Sequence, residues 1–283
     1  MLLWSYASSM DDLSLLAQAP LSESSFAEPA SDTTAPAGPD GFDFLTKLLA
    51  KGIHAQTYAA VTSIHQHEAS CEIRTAGGAI YHADSVVVTV PLGVRKACVA
   101  ATGGAKPISF SPPLSERKVA AINALGSGTE NKIVLRFEES FWPKDAQFQC
   151  TDQRFRFINL DRLSGSTGVL VAHVAPPFSL GFDGLADDAI VRKLVKVLSK
   201  MFQRAVPDAV EAIVTHWDTD PLSLGSYSYV PRGASLDHMR DLSAPEGSLV
   251  FAGEACSQCS MQTVGGAMSS GETATRQILS QIM

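Results

Sequence analysis

The chain contains no apolar run near the roughly 20 residues that a membrane-crossing helix needs. It has no Lys or Arg before Lys47, so its opening stretch carries neither the basic start of a secretory signal nor the arginines of a transit peptide. A soluble intracellular location, cytoplasmic ahead of nuclear, is therefore expected, with no membrane partner. Basic residues are outnumbered 22 to 29, leaving a net charge of −7, which argues against a nucleic-acid partner held by phosphate contacts. The five cysteines (Cys71, Cys98, Cys150, Cys256, Cys259) are odd in number and irregular in spacing, unlike a secreted disulfide framework. Cys256 and Cys259 form a single C-x-x-C with no second pair or spaced histidines to complete a zinc site. No metal is expected, and a redox pair is the other reading of that motif. A G-x-G-x-x-G turn is also missing. Gly126-Ser127-Gly128 has Asn131 where the third glycine belongs, and it precedes a strand pattern instead of following one.

What is present is a globular composition: 45% hydrophobic and 18% charged over 283 residues, enough for one large domain or two ordinary ones. Residues 1–40 are rich in Ala, Ser and Pro and carry acidic residues without basic ones, which predicts a polar, partly disordered segment. Phe44, Leu45, Leu48 and Leu49 then recur at helical spacing before Gly52. Strands are predicted over Ala60–Gln66, Ser70–Thr75, Ile80–His82 and Ser85–Val90, the last apolar on both faces as in a buried strand. A helix is predicted from Pro112 to about Ala124. Asn131–Phe137 alternates, with Ile133, Leu135 and Phe137 on one face. Gly168–Val174 reads as another buried strand. Asp187–Phe202 is the best helix pattern, with an apolar stripe and two acids at its positive end. Val210–Trp217, Gly225–Val230 and Ser248–Ala252 read as strands, and a last helix runs from about Thr263 to Ile282.

Three places could carry chemistry. The strand–loop–helix from Leu249 to Ser270 delivers Gly253 and Glu254 to a strand's carboxyl end, where open α/β sheets bind ligands. Its helix opens at Thr263-Val264-Gly265-Gly266, where small residues admit close approach and free N–H groups favour negative charge. Lys132 lies mid-strand among apolar residues; such a lysine usually reaches to solvent, and in a cleft its charge must serve a partner. Tyr227 and Tyr229 share a strand face, which serves packing more often than an aromatic wall for a cation or planar substrate.

The ordered motifs TVPLG (89–93), ISFSPPL (108–114), NKIVLRF (131–137), FW (141–142), HWDTDPLSLGSYSYVP (216–231), FAGEA (251–255) and TVGGAMSSG (263–271) resemble the flavin-containing amine oxidases. The likeness is nearest to the polyamine oxidase and lysine-specific histone demethylase branch and runs from about Gly41 to Ile282. It implies an α/β fold in which a partial FAD-binding, Rossmann-like domain lacking its GxGxxG segment (41–95 and 233–283) interleaves with a mixed-sheet α+β substrate domain (96–232).

The resemblance also implies roles. Val61 corresponds to backbone near the adenine. Val90, Pro91 and Leu92 correspond to a strand end passing the flavin, and Gly253 to the turn at the next strand end. Lys132 matches the lysine that holds a water at flavin N5 and assists reoxidation. Trp217 matches a tryptophan beside the ring, and Tyr227 a wall of the site that aligns the amine. Glu254 matches an acid near the ribityl and pyrophosphate groups. Thr263 and Val264 match the helix start facing the N1–C2=O edge. The implied reaction is FAD-dependent oxidation of a polyamine-like small-molecule amine by oxygen, giving imine or aldehyde and peroxide. An L-amino acid oxidase relative and a non-catalytic remnant are the alternatives. Departures are visible. Ser226 stands where monoamine oxidases bond the flavin through cysteine, so non-covalent FAD is expected. Ser260 and Met261 replace the second aromatic wall, and Gly265 a residue that is often His or Glu. The oligomeric state is not legible in the sequence.

Overall fold

A computed structural model describes residues 12–13, 43–68, 70–100, 107–144, 146, 148, 154–164 and 168–282. Apart from Asp12 and Leu13, the polar segment 1–40 lies outside the described residues, as does Cys150. In chain order the elements are α1 (Asp43–Leu49), β1 (Val61–Gln66), β2 (Cys71–Thr75), β3 (Ile80–Ala83), β4 (Val86–Val88), α2 (Leu92–Val99), β5 (Ser109–Ser111), α3 (Glu116–Ala124), β6 (Gly126–Ser127) and β7 (Asn131–Arg136). They continue with β8 (Arg156–Asn159), α4 (Leu160–Ser164), β9 (Val169–Val174), α5 (Asp187–Phe202), β10 (Glu211–Val214), β11 (Ser228–Tyr229), α6 (Leu236–Ser243), β12 (Leu249–Phe251) and α7 (Val264–Ile282). Short 3-10 turns cover Phe182–Gly184 and Glu254–Cys256. No helix among the described residues is long and apolar enough to cross a membrane.

The chain forms two compact units. One is built on Thr129–Asp218 and also takes α1. Its sheet has the order β10-β7-β9-β8, with every pairing antiparallel. The alternation expected of Asn131–Phe137 decides which face is covered: Ile133, Leu135 and Phe137 are buried, whereas Lys132 and Val134 are half-exposed. Helix α5 has the bounds expected for it and buries Ile190, Leu194, Val197 and Leu198 in the same core cluster. Each such side chain contributes about 2 kcal/mol by leaving water. Gln203 ends the helix in the left-handed region (φ 51°). Helix α1 forms where its spacing predicted, yet none of its residues is buried.

The second unit is built on Gln56–Gly128 and Thr219–Met283. A four-stranded sheet, β3-β2-β1-β5, is antiparallel except for the parallel β1–β5 pair. A separate parallel pair joins β4 to β12, aligning Val86–Val88 with Leu249–Phe251. β4 was expected to be buried on both faces over Ser85–Val90. The regular strand is shorter, and Val87 is 40% exposed while Val88 is buried. Gly225–Val230 likewise contributes only Ser228–Tyr229 as strand, paired to β6. The core gathers Ile64, Val88, Leu92, Ile122, Met239, Leu249 and Phe251. Helix α2, which the sequence pattern did not predict, starts directly after Pro91.

Candidate cofactor and amine site

In the first unit, Asn131 is the organising residue. It is fully buried, and its Oδ1 accepts from Thr215 Oγ1 (3.0 Å) and from the Trp217 N–H (3.1 Å). Its Nδ2 donates to Asp183 Oδ1 at 2.9 Å. The next residue, Lys132, donates its N–H to Thr215 Oγ1 (2.8 Å), and its carbonyl accepts from the Thr215 N–H (3.0 Å). Lys132 and Trp217, far apart in sequence, are thus held at one strand end by one amide side chain. Trp217 is 36% exposed, so its ring keeps an open surface. Across β7–β9, Lys132 is paired with His173, whose Nδ1 lies 2.6 Å from Oε1 of the buried Glu130.

Asp218 follows Trp217 directly. Burial, and then the neighbouring Asp183 carboxylate, push its pKa up to about 6. Its N–H donates to Asp183 Oδ2 at 2.9 Å, while its own buried Oδ1 has no hydrogen-bond partner.

In the second unit the centre is Glu254. Its Oε1 accepts from the Ser228 N–H (3.1 Å), and its Oε2 accepts from Ser228 Oγ (2.7 Å) and the Gln262 N–H (2.7 Å). One carboxylate thereby joins the residue after Tyr227 to the residue before Thr263. The carbonyl of Tyr227 accepts from the Gly128 N–H at 2.7 Å, which pins the tyrosine's own backbone. Ser226 is held in the same way, its N–H and Oγ both donating to the Gly128 carbonyl.

Helix α7 begins where the small residues suggested. Thr263 Oγ1 accepts from the Gly266 N–H (2.9 Å) and donates to the Ser260 carbonyl (2.7 Å), an N-cap that fixes the first turn. A Cβ on Gly266 would stand 1.9 Å from Ser260 O, so this glycine admits the chain's own backbone. Gly265 is open, and Val264 is 66% exposed, so the positive helix end faces outward. Met261, one of the residues in place of a second aromatic wall, is buried in the core instead.

The sequence reading missed Arg95. It is 3% exposed, on a helix that is otherwise mostly apolar at that turn. Its Nε donates to Val90 O (2.9 Å), its Nη2 to Val88 O (3.2 Å) and Ala252 O (2.6 Å), and its Nη1 to Cys256 Sγ (3.2 Å). This guanidinium holds the Val90–Pro91–Leu92 strand end against the Gly253–Glu254 strand end. Gly253 itself has φ 127°, which a side chain would strain, and its N–H donates to Ser270 Oγ at 2.8 Å. Val61 packs, half-buried, against the same core cluster at the edge of β1. The one signal for Arg95 in the sequence was a pair of adjacent cations, Arg95 and Lys96, in the otherwise uncharged LGVRKACV. No group of three or more His, Cys, Asp or Glu suited to a metal ion occurs among the described residues.

A family model for the flavin containing amine oxidoreductases matches residues 3–279. The chain belongs to that family. It is 37% identical over 235 residues to polyamine oxidase 5 of Oryza sativa subsp. japonica, an alignment covering 82% of this chain and 46% of that one. It is 38% identical over 221 residues to lysine-specific histone demethylase 1 homolog 3 of Arabidopsis thaliana, covering 75% of this chain and 13% of the other. Among solved structures, a putrescine oxidase variant with redesigned cofactor binding superposes with a TM-score of 0.70 at 18% identity, over 85% of this chain and 53% of that one. That likeness shows the fold. The chain spans about half the length of the curated polyamine oxidases it matches, and a smaller share of the demethylase homologue.

The cofactor of the family is FAD. This chain's residues fit the ring end of such a group, because a capped helix start stands exposed at Thr263–Gly265. Its sequence holds no G-x-G-x-x-G turn to fit the pyrophosphate.

Proposed function

We propose that this chain carries the amine-handling part and the flavin-ring part of an FAD-dependent oxidase acting on small polyamine-like amines. The observation that carries the reading is the Glu254 node, where one carboxylate anchors Ser228, the first residue of β11 and the neighbour of Tyr227, together with the start of α7. The node holds the segment next to Tyr227 at a fixed place relative to the start of α7, the two segments this reading assigns to the amine and to the flavin. In this reading residues 41–95 and 233–283 make up the partial FAD-binding domain and 96–232 the substrate domain.

Bound FAD supplies the two-electron acceptor for oxidation of the amine's carbon–nitrogen bond. The chain's own residues do the rest. Tyr227 presents an aromatic face that orients the amine. The α7 start, at Thr263 and Val264, would offer positive potential to an anionic edge of the bound group. Lys132 would hold a water for the reoxidation step, and Trp217 would offer a flat apolar surface to the group. Val90, Pro91, Leu92 and Gly253 lay backbone along the cofactor, with Val61 toward the adenine. Glu254 acts as a positioning residue, since both its oxygens are engaged by protein donors. Ser226, a serine, leaves the cofactor non-covalent. The products are imine or aldehyde and, with oxygen as final acceptor, hydrogen peroxide.

The test is direct. The purified chain is incubated with FAD, desalted, and examined for flavin absorbance and for peroxide release on spermine. Retained flavin with peroxide release supports the reading, and neither flavin nor peroxide overturns it for this chain.

A further inference from the structure

We propose that Cys256 and Cys259 form a reversible thiol–disulfide site that reacts with a small polar disulfide of the glutathione class at a cavity both residues line. The motif alone left a redox pair as one reading. The structure adds three observations. First, both residues line the same cavity, of about 370 Å³. The Cys256 N–H donates to Gly253 O (3.0 Å), and the Ser260 N–H to Ser257 Oγ (3.2 Å), so a 3-10 turn and a serine-closed turn bracket the pair. Second, the cysteines differ in access, Cys259 being exposed and Cys256 buried, and both are thiols. That asymmetry matches a first thiol that meets the reagent and a second that displaces it. Third, Arg95 Nη1 donates to Cys256 Sγ at 3.2 Å, placing a guanidinium charge on the buried sulfur.

The rest of the cavity suits a polar peptide disulfide. Gln258, Ser269, Thr273 and Gln277 line it with hydroxyls and amides. The reaction balances without a metal or a further oxidant. Cys259 loses its proton, and its sulfur attacks one sulfur of the small disulfide. That S–S bond breaks, one small thiol leaves with the proton, and a mixed disulfide remains on Cys259. Cys256 then attacks Cys259 Sγ and releases the second small thiol, which takes the Cys256 proton. Two electrons pass from the protein thiols to the reagent, which is reduced to two thiols. Excess small thiol reverses both steps.

The experiment equilibrates the folded chain in reduced and oxidised glutathione at increasing oxidised fraction. Remaining thiols are blocked with N-ethylmaleimide, and peptides are mapped by mass spectrometry. The expected result is an intrachain Cys256–Cys259 disulfide, lost again on return to reduced glutathione. Cys256→Ser should trap a stable glutathione adduct on Cys259. Cys259→Ser, an exposed change that spares the fold, should abolish the disulfide and slow modification of Cys256 by at least ~10-fold. The proposal is overturned if both thiols stay alkylatable in the oxidised buffer, if Cys259 of the unmutated chain stops at the adduct, or if the disulfide forms only in urea. None of these readouts involves flavin or amine, so the result stands apart from that of the peroxide assay.

Discussion

Ser228 gives both its backbone N–H and its hydroxyl to the carboxylate of Glu254, at 3.1 and 2.7 Å, so a strand end and a loop are fastened by one residue on each side. The third donor, the Gln262 N–H, extends that fastening to the start of α7. Glu254→Gln keeps the shape but offers only one acceptor oxygen, turning an N–H group toward a donor. The expected loss is about 2 kcal/mol of stability, as for hydrogen bonds to a charged group. Urea unfolding at a fixed pH measures it, and an unmoved midpoint would show that the node is not holding the two segments.

Lys132→Met, made in a form of the protein that binds FAD, should slow reoxidation by oxygen while leaving amine binding nearly unchanged. Stopped-flow absorbance separates the two half-reactions. An unaltered oxidative half-reaction would remove Lys132 from the proposed role.

Lys118 is buried beneath α6, where its Nζ donates to the carbonyls of Asp241 (2.7 Å), Leu242 (2.8 Å) and Ala244 (2.6 Å) and lies 4.0 Å from the centre of the Phe251 ring. Lys118→Met leaves those carbonyls without their donor and should cost about 2 kcal/mol at neutral pH. Burial lowers the Lys118 pKa from 10.5 to about 8. Between pH 8 and 10.5 the unfolded chain therefore binds the proton that the folded chain has released, and stability rises with pH. Measured against Lys118→Met, the advantage of the unmutated chain should grow across that window by up to about 3 kcal/mol. A constant or shrinking gap in parallel denaturations would contradict this.

Asp218 works in the opposite sense. Its folded pKa is raised from 3.8 to about 6, so its contribution is most favourable below pH 4 and is lost as pH rises through 6. Asp218→Asn should therefore stabilise the protein at pH 7 and not at pH 4. The side chain keeps some contact with solvent, so the expected gain is about 1 kcal/mol, below the full linkage value. Melting curves at the two pH values decide it, and an equal effect at both would sink the argument.

Gly266→Ala tests the start of α7 itself. The added Cβ would lie 1.9 Å from Ser260 O, so the loop or the helix must move. We expect a loss of about 2 kcal/mol or more. Gly271→Ala on the same helix has nothing within 4 Å of its Cβ and should be neutral or slightly stabilising.

What could be read beforehand followed from local pattern. Helix α5 was legible to the residue because its apolar period repeats over 16 residues. The strand–Gly253-Glu254–loop–helix unit was legible because strand, glycine and helix start are neighbours in sequence. Arg95, Lys118 and Asn131 were not recognised as organising residues. Each is a buried polar group whose meaning lies in partners more than 80 residues away, such as Trp217 for Asn131 and Asp241 for Lys118. Helix α6 escaped for another reason. It buries only Met239 and Leu242, and its capping box closes with His238 where Glu or Gln is the usual signal.

Arg95 and Cys256 lie 161 residues apart, and the parallel β4–β12 pair spans a similar separation. During synthesis the Thr129–Asp218 unit is complete while half of the other unit's core is still unmade. Val86–Val88 must wait for the last strand, and loop closure over such a distance is slow. A ribosome stalled before Leu249 would therefore have made every strand of both four-stranded sheets while leaving one apolar strand, Val86–Val88, without its parallel neighbour, and it is at this stage of synthesis that the chain most needs a chaperone.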